Sequence, residues 1–248
     1  KSININIENE VIVGGSTNGI LGDKNYGKND LFIVKYDVLG FKKKISQYGT
    51  PDDDELKDFD INSSGDILIV GDTKGKFENF ENSGSEDIFL YNLNNNGEQK
   101  WIRQFGSSEA DLVEAIETDS NDNIFLVGST NGNLFDNESK NGYTNYYLTK
   151  LDKNGSLQWS KDSEYVSGSF SISIGKKVVV GTENDIYIIG GTYNDLHDLK
   201  NIGYQSGFII KYSNSGDRLW GKIFGTDSYD NFNAIAKDLD ENLYVTGT

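Results

Sequence analysis

Asp119, Asn121 and Asn123 place oxygen-bearing side chains at alternate positions of one short segment, and Asp238, Asp240 and Asn242 do so again. Carboxylate and amide oxygens spaced in this way suit a hard cation, calcium above all. Neither run continues to the bidentate glutamate of an EF-hand loop. Asn62, Ser64 and Asp66 hold the same spacing at another point of the chain. A polar hairpin loop between two strands needs the same residues, and that is the simpler reading. Calcium is the one cofactor the sequence offers, with Asp119, Asn121, Asn123, Asp238, Asp240 and Asn242 as its leading candidate ligands.

Other chemistry is sparse. Asp54, Asp111 and Asp230 recur in phase and either gather a cation at a rim or, the favoured reading, cap backbone N–H groups where a strand begins. Lys35, Lys150 and Lys211 recur as well, as partners for those acids or as solvated strand positions. His197 is the single histidine, close to Asp195 and Asp198 but without the serine or cysteine of a triad, and it reads as an exposed loop residue. No cysteine supplies a thiol nucleophile, a disulfide or a zinc thiolate. The glycine-rich Gly14-Gly15-Ser16-Thr17-Asn18-Gly19 has no helix behind it, so it is a strand end rather than a phosphate loop. No catalytic residue emerges.

Composition narrows the partners. With 39 acidic against 23 basic residues the formal charge is −16, which repels phosphate backbones and anionic lipid. Nucleic acid is therefore not an expected partner, and no run approaches the roughly 20 apolar residues of a membrane-spanning helix. The sequence starts Lys1-Ser2-Ile3 and contains no methionine, which fits a processed chain or a piece of a longer one.

What must position any site is a repeat. Val11-Ile12-Val13-Gly14-Gly15-Ser16-Thr17 returns as Ile67–Thr73, Ile124–Thr130, Ile186–Thr192 and Leu243–Thr248, with its glycine at 15, 71, 128, 190 and 247. Between these phrases come β-branched and aromatic runs at 30–35, 87–92, 145–150 and 206–211. Each ends in a turn opened by Asp, Asn or Ser and closed by Gly40, Gly97, Gly155 or Gly216. Trp101, Trp159 and Trp220 follow four residues later, with Lys44 breaking the series in the first unit. Four short strands per unit, joined by hairpins, predict an all-β fold, a β-propeller of four-stranded antiparallel blades. The tryptophans are expected to wedge between neighbouring blades. The units run about 1–49, 56–106, 112–165 and 170–225, and 232–248 is a partial fifth. The whole chain is expected to be a single propeller domain or part of one, with more of the ring outside it. The alternative is a small closed ring whose chain ends share a blade.

The succession Trp101 to Ser107, Asp119 to Ile124 and Val127 to Gly132 resembles the SBBP β-propeller repeat, and Asp30, Phe32, Lys35, Asp37, Gly40, Asp152, Gly155 and Trp159 continue its pattern. The resemblance implies a bacterial or archaeal exported or surface protein, and it brings no catalytic residues with it. Asp152-Lys153-Asn154-Gly155 before Trp159 is also similar to the turn of PQQ-type propeller repeats. Quinoprotein enzymes of that kind often set a vicinal disulfide against the cofactor, which a chain without cysteine cannot form.

The expected role is a non-enzymatic, secreted or cell-surface propeller module that is structural, adhesive or ligand-binding. Its partner would be a protein or glycan at the loop face, or neighbouring subunits of a surface assembly. The loops at about 18–29, 74–86, 131–144 and 193–205 differ most between units and are the natural binding face. The alternative is a fragment of a propeller enzyme, PQQ-type or carbohydrate-active. Sequons at Asn62, Asn137 and Asn154 lie in expected loops.

Overall fold

A computed structural model describes residues 1–136, 143–163 and 172–248. Every regular element of length is a strand, and the first four form a sheet in sequence order: β1 (Ser2–Ile5), β2 (Val11–Thr17), β3 (Asp30–Tyr36) and β4 (Lys42–Tyr48). The second sheet repeats the plan with β5 (Asp54–Ile61), β6 (Ile67–Thr73), β7 (Asp87–Leu93) and β8 (Gln99–Phe105). The third is β9 (Asp111–Thr118), β10 (Ile124–Thr130), β11 (Asn145–Leu151) and β12 (Leu157–Asp162). The fourth is β13 (Ser173–Val180), β14 (Ile186–Thr192), β15 (Ser206–Tyr212) and β16 (Arg218–Phe224). A two-stranded sheet of β17 (Phe232–Lys237) and β18 (Leu243–Gly247) follows. Within the first, second, fourth and fifth sheets, and from β10 to β12 in the third, neighbouring strands pair antiparallel. This is the expected all-β propeller plan of four-stranded blades, four complete and one half-built. The chain divides into two compact units, Lys1–Val113 and Glu114–Thr248.

The repeated glycine has a steric cause. Gly15, Gly71, Gly128 and Gly190 each stand directly across from an aromatic residue of the third strand: Phe32, Phe89, Tyr147 and Phe208. A Cβ on Gly190 would lie 1.9 Å from the Ile174 carbonyl oxygen and 2.8 Å from the Phe208 ring. On Gly71 it would lie 2.0 Å from the Glu55 carbonyl oxygen. The first strand makes this close approach because it carries a bulge opposite the glycine, between Leu56 and Asp58 and again between Gly175 and Lys177. β5, the first strand of the second sheet, begins at Asp54 and runs through this bulge.

Packing runs from one sheet to the next. In the first unit Leu31 and Ile33 of β3 join Phe89, Tyr91 and Leu93 of β7 in one buried cluster. In the second, Tyr146 and Leu148 of β11 join Phe208, Ile210 and Tyr212 of β15, with Trp159 packed against them. Each such side chain contributes about 1.5–3 kcal/mol by leaving water. Trp159 is the expected wedge, and its indole N–H donates to the Asn214 carbonyl in the next sheet's turn at 3.1 Å. Lys44, expected to break the series, keeps the contact by other means. Its ammonium donates to the Asn96 carbonyl at 2.6 Å, and the Tyr48 hydroxyl donates to the Gly97 carbonyl at 2.6 Å. The repeated lysines do not pair with the in-phase acids. Lys35 reaches Asn95 Oδ1 at 2.8 Å and Glu10 at 2.5 Å, Lys150 reaches Asn214, and Lys211 pairs with Asp185 at 2.5 Å.

Candidate functional site

The alternate oxygen residues resolve into hairpin turns. Asp119 Oδ1 accepts the backbone N–H of Asn121 and of Asn123, each at 2.9 Å, and its Oδ2 accepts the Asn123 side-chain amide at 2.7 Å. Asp238 does the same toward Asp240 and Asn242, at 3.0 and 2.8 Å, and its Oδ2 takes the Asn242 amide and the Tyr244 hydroxyl. The Asn242 bonds lead in holding the Asp238 carboxyl below the usual carboxylate range. Asn6, Asn62, Asp37, Asn94 and Asp152 open their turns identically, by accepting two amides of their own loop. The spacing is thus that of a side-chain-capped turn. Asp119 and Asp238 thus bond within their own turns, and among the described residues no three His, Cys, Asp or Glu side chains gather in one place.

The in-phase acids cap backbone. Asp54 Oδ2 accepts the Thr50 N–H at 2.5 Å and its Oδ1 accepts the Thr73 hydroxyl at 2.6 Å. Asp111 and Asp230 receive the N–H of Ser107 and Thr226 in the same way, at 2.5 and 2.7 Å. Burial pushes the Asp54 carboxyl up, against the hydrogen bonds from Thr73 and Thr50. It borders a basin of about 600 Å³ in the first unit, where lysines face three of the acids. Lys1 meets Glu55 at 2.5 Å, Lys57 meets Glu55 and Asp72 at 3.0 Å, and Lys74 meets Glu86 at 3.3 Å.

A second set of buried acids ties the variable loops down. Asp30 Oδ2 accepts the Tyr26 N–H and the Gln47 side-chain amide, each at 2.7 Å. Asp87 Oδ2 takes the corresponding Ser83 N–H and Gln104 amide at 3.0 and 2.9 Å. Their other oxygens press on glycine, a Cβ at Gly106 lying 2.0 Å from Asp87 Oδ1. Gly49 after Tyr48 and Gly106 after Phe105 admit this carboxylate.

The loops so anchored carry aromatic surface. In the first unit Tyr26, Tyr48, Phe77 and Tyr91 line a cavity of about 340 Å³ together with Lys76 and Glu78. In the second unit Tyr193, Tyr204 and Tyr229 stand together in solvent, at 39 %, 68 % and 62 % exposure. The Tyr204 and Tyr229 rings stack with centroids 5.4 Å apart and planes 13° apart, and Tyr193 meets Tyr229 edge-on at 6.5 Å. Their backbone is fixed. Tyr204 N–H donates to the Ser228 carbonyl at 3.0 Å, and Asp230 N–H donates to the Gln205 carbonyl at 3.0 Å. The Asn201 amide donates to the carbonyls of Tyr193 and Gly203, at 3.2 and 2.8 Å. The platform is preorganised, so a ligand would find the rings already in place.

His197 is not simply an exposed loop residue. It is half-buried, with Nε2 2.7 Å from the Tyr146 hydroxyl, which lies 2.7 Å from the Tyr212 hydroxyl. Burial, reinforced by Tyr212, pushes the Tyr146 phenol well above its ordinary value. The histidine fastens its loop to the core. Leu196 beside it is buried, as are Phe77 and Leu134, four residues after the phrase's threonine in their own loops. That anchor recurs in the sequence and was readable there. The convergence of Tyr193, Tyr204 and Tyr229 was not, since the third comes from a different connection. Of the sequons, Asn62 is buried in its own turn, Asn154 is exposed, and Asn137 lies outside the described residues.

Residues 100–136 match the SBBP family, a β-propeller repeat. An uncharacterized WD repeat-containing protein of Acanthamoeba polyphaga mimivirus is 25% identical over 216 residues, 72% of this chain. The chain spans only 15% of that relative's length. A gluconolactonase of Xanthomonas campestris overlays 99% of this chain and 68% of its own, with a TM-score of 0.53 at 11% identity. A protein of unknown function from Bacteroides caccae overlays 82% of this chain and 81% of its own at a TM-score of 0.39 and 10% identity. At such identities the likeness to solved structures concerns the fold alone. The repeat match at 100–136 and the four-stranded sheets around it make the chain a β-propeller repeat module.

Proposed function

We propose that this module is non-enzymatic and works outside the cell or at its surface, binding a protein or glycan ligand on the loop side of its second unit. The observation that carries the reading is the exposed, backbone-fixed platform of Tyr193, Tyr204 and Tyr229. Tyrosine offers a wide contact face at low entropic cost and leaves a hydroxyl for hydrogen bonding. The acids of the first unit support the non-enzymatic reading. Glu55, Asp72 and Glu86 of the basin are ion-paired, Asp53 takes the Asn29 side-chain amide, and Asp54 is committed to Thr50 and Thr73. A general acid or base needs a proton site open to substrate. Capture on an immobilised panel of neutral oligosaccharides and on a displayed peptide library tests the reading. The intact chain and Tyr204→Phe should retain a common ligand that Tyr204→Ala loses. Capture that ignores the loss of the ring, or no capture on either panel, refutes it.

A further inference from the structure

The seam between the first and second sheets and the seam between the third and fourth share one register but are filled differently. In the later seam Tyr146, across from Ser129, is fully buried, its hydroxyl 2.7 Å from both His197 Nε2 and the Tyr212 hydroxyl. In the earlier seam Leu31, across from Ser16, holds that place. Four and five residues past the phrase's threonine come Leu196 and His197 in the later seam, Phe77 and Glu78 in the earlier one. Arg218, whose charge acts on the Tyr146 phenol, stands across from Tyr212, and Gln99 stands across from Leu93 in the same register. The cavity of about 340 Å³ in the first unit thus opens among Phe77, Glu78 and Gln99, the counterparts of the residues around the second unit's phenol. Tyr48, across from Leu31, fills only part of the room, and its hydroxyl is committed to the Gly97 carbonyl at 2.6 Å.

The charge of the walls changes along with the filling. Histidine and arginine give way to glutamate and glutamine. Glu78 is exposed and pairs with no cation among the described residues, while Lys76 is held by Glu81 at 3.1 Å. Tyr91, which lines the cavity, is 5 % exposed, and among the described residues its hydroxyl has no hydrogen-bond partner. Burial pushes this phenol up, and the charges of Asp54 and Glu78 push the same way, so it stays neutral and both gives and accepts hydrogen bonds. We propose that the cavity binds a small single-ring aromatic amine, with its ring in the space that Tyr146 fills in the second unit and its ammonium at Glu78. Phe77 and Tyr48 supply the ring contacts, and the Tyr91 hydroxyl meets a polar substituent on the ring. The volume suits a ligand of that size, since small-molecule sites begin at about 300 Å³.

Probes of one shape and different charge test this: tyramine, the neutral 4-ethylphenol and the anionic 3-(4-hydroxyphenyl)propionate. Each is titrated into the intact chain and followed by the amide chemical shifts of Phe77, Tyr91 and Ile102, which line the cavity. Tyramine should bind at least about tenfold more tightly than the propionate, with 4-ethylphenol between them. Glu78→Gln, a change at an exposed position, should bring tyramine to within about twofold of 4-ethylphenol. Leu31→Tyr rebuilds the second unit's filling and should abolish the shifts. Equal binding of tyramine and the propionate overturns the proposal, as does a charge preference that survives Glu78→Gln, which does not depend on how the core variant folds. Binding that survives Leu31→Tyr in a folded protein, or no saturable shift with tyramine up to about 20 mM, overturns it as well. Shifts confined to Tyr193, Tyr204 and Tyr229 would do the same, because the amine would then sit on the second unit's platform.

Discussion

Replacing Glu10 with glutamine should destabilise the first sheet by about 2 kcal/mol at neutral pH, and the loss should vanish in acid. Glu10 is buried at the end of the turn between β1 and β2, where Lys35 meets it at 2.5 Å, Lys43 from the other side, and the Asn6 amide at 2.8 Å. Burial works to raise this carboxyl, but the two ammonium groups and the Asn6 amide outweigh it and hold it at about 2, against an ordinary value of 4.5. At about 1.36 kcal/mol per pH unit the gap bounds the contribution near 3 kcal/mol. Lys43 is half in solvent, so part of its share is screened, which leaves about 2 kcal/mol. The folded carboxyl is the stronger acid. Its stabilisation is therefore complete above about pH 4.5 and drains away as pH falls toward 2. Urea titrations of both proteins at fixed pH, down to the lowest pH at which each folds, measure the difference. A gap that narrows steadily below pH 4.5 supports the ion triad. A gap that is constant from pH 6 to pH 3, or absent at pH 7, refutes it.

Gly190→Ala should cost about 3 kcal/mol, because its Cβ would meet the Ile174 carbonyl and the Phe208 ring at once. Denaturant midpoints check this, with Gly40→Ala, where nothing lies within 4 Å, showing only the smaller cost of positive φ. Tyr146→Phe should cost about 1–2 kcal/mol by removing the hydroxyl between His197 and Tyr212, read from denaturant midpoints. Calcium and a chelator should both leave the melting temperature unchanged, since Asp119 and Asp238 already spend their oxygens on their own turns. A calcium-dependent rise in melting temperature that Asp119→Ala abolishes would contradict that.

The fold was legible because its signals are local and repeated. Glycine, the turn-opening Asp or Asn and the tryptophan each mark one point of a blade, and the repeat adds their evidence together. What escaped was the reason for each mark. That Gly71 lies under Phe89, or that Gly106 admits Asp87, depends on a bulge and a carboxylate from distant strands. The candidate metal residues show the opposite case. Alternate Asp and Asn satisfy amides in a tight turn with the same spacing that ligates a cation, so sequence alone leaves both readings open. His197 looked solitary because its partners, Tyr146 and Tyr212, come from other strands. The tyrosine platform is likewise a product of the tertiary fold, assembled from a hairpin loop and a blade-to-blade connection.

The proposed binding face of Tyr193, Tyr204 and Tyr229 is tested most directly by removing its three rings together. Capture by the oligosaccharide and peptide panels should be compared between the intact chain and a Tyr193→Ser, Tyr204→Ser, Tyr229→Ser variant of matched circular dichroism and melting temperature. The platform account predicts that the variant stays folded and loses the captured ligand at least about tenfold in affinity. A folded variant that binds as tightly as the intact chain contradicts it.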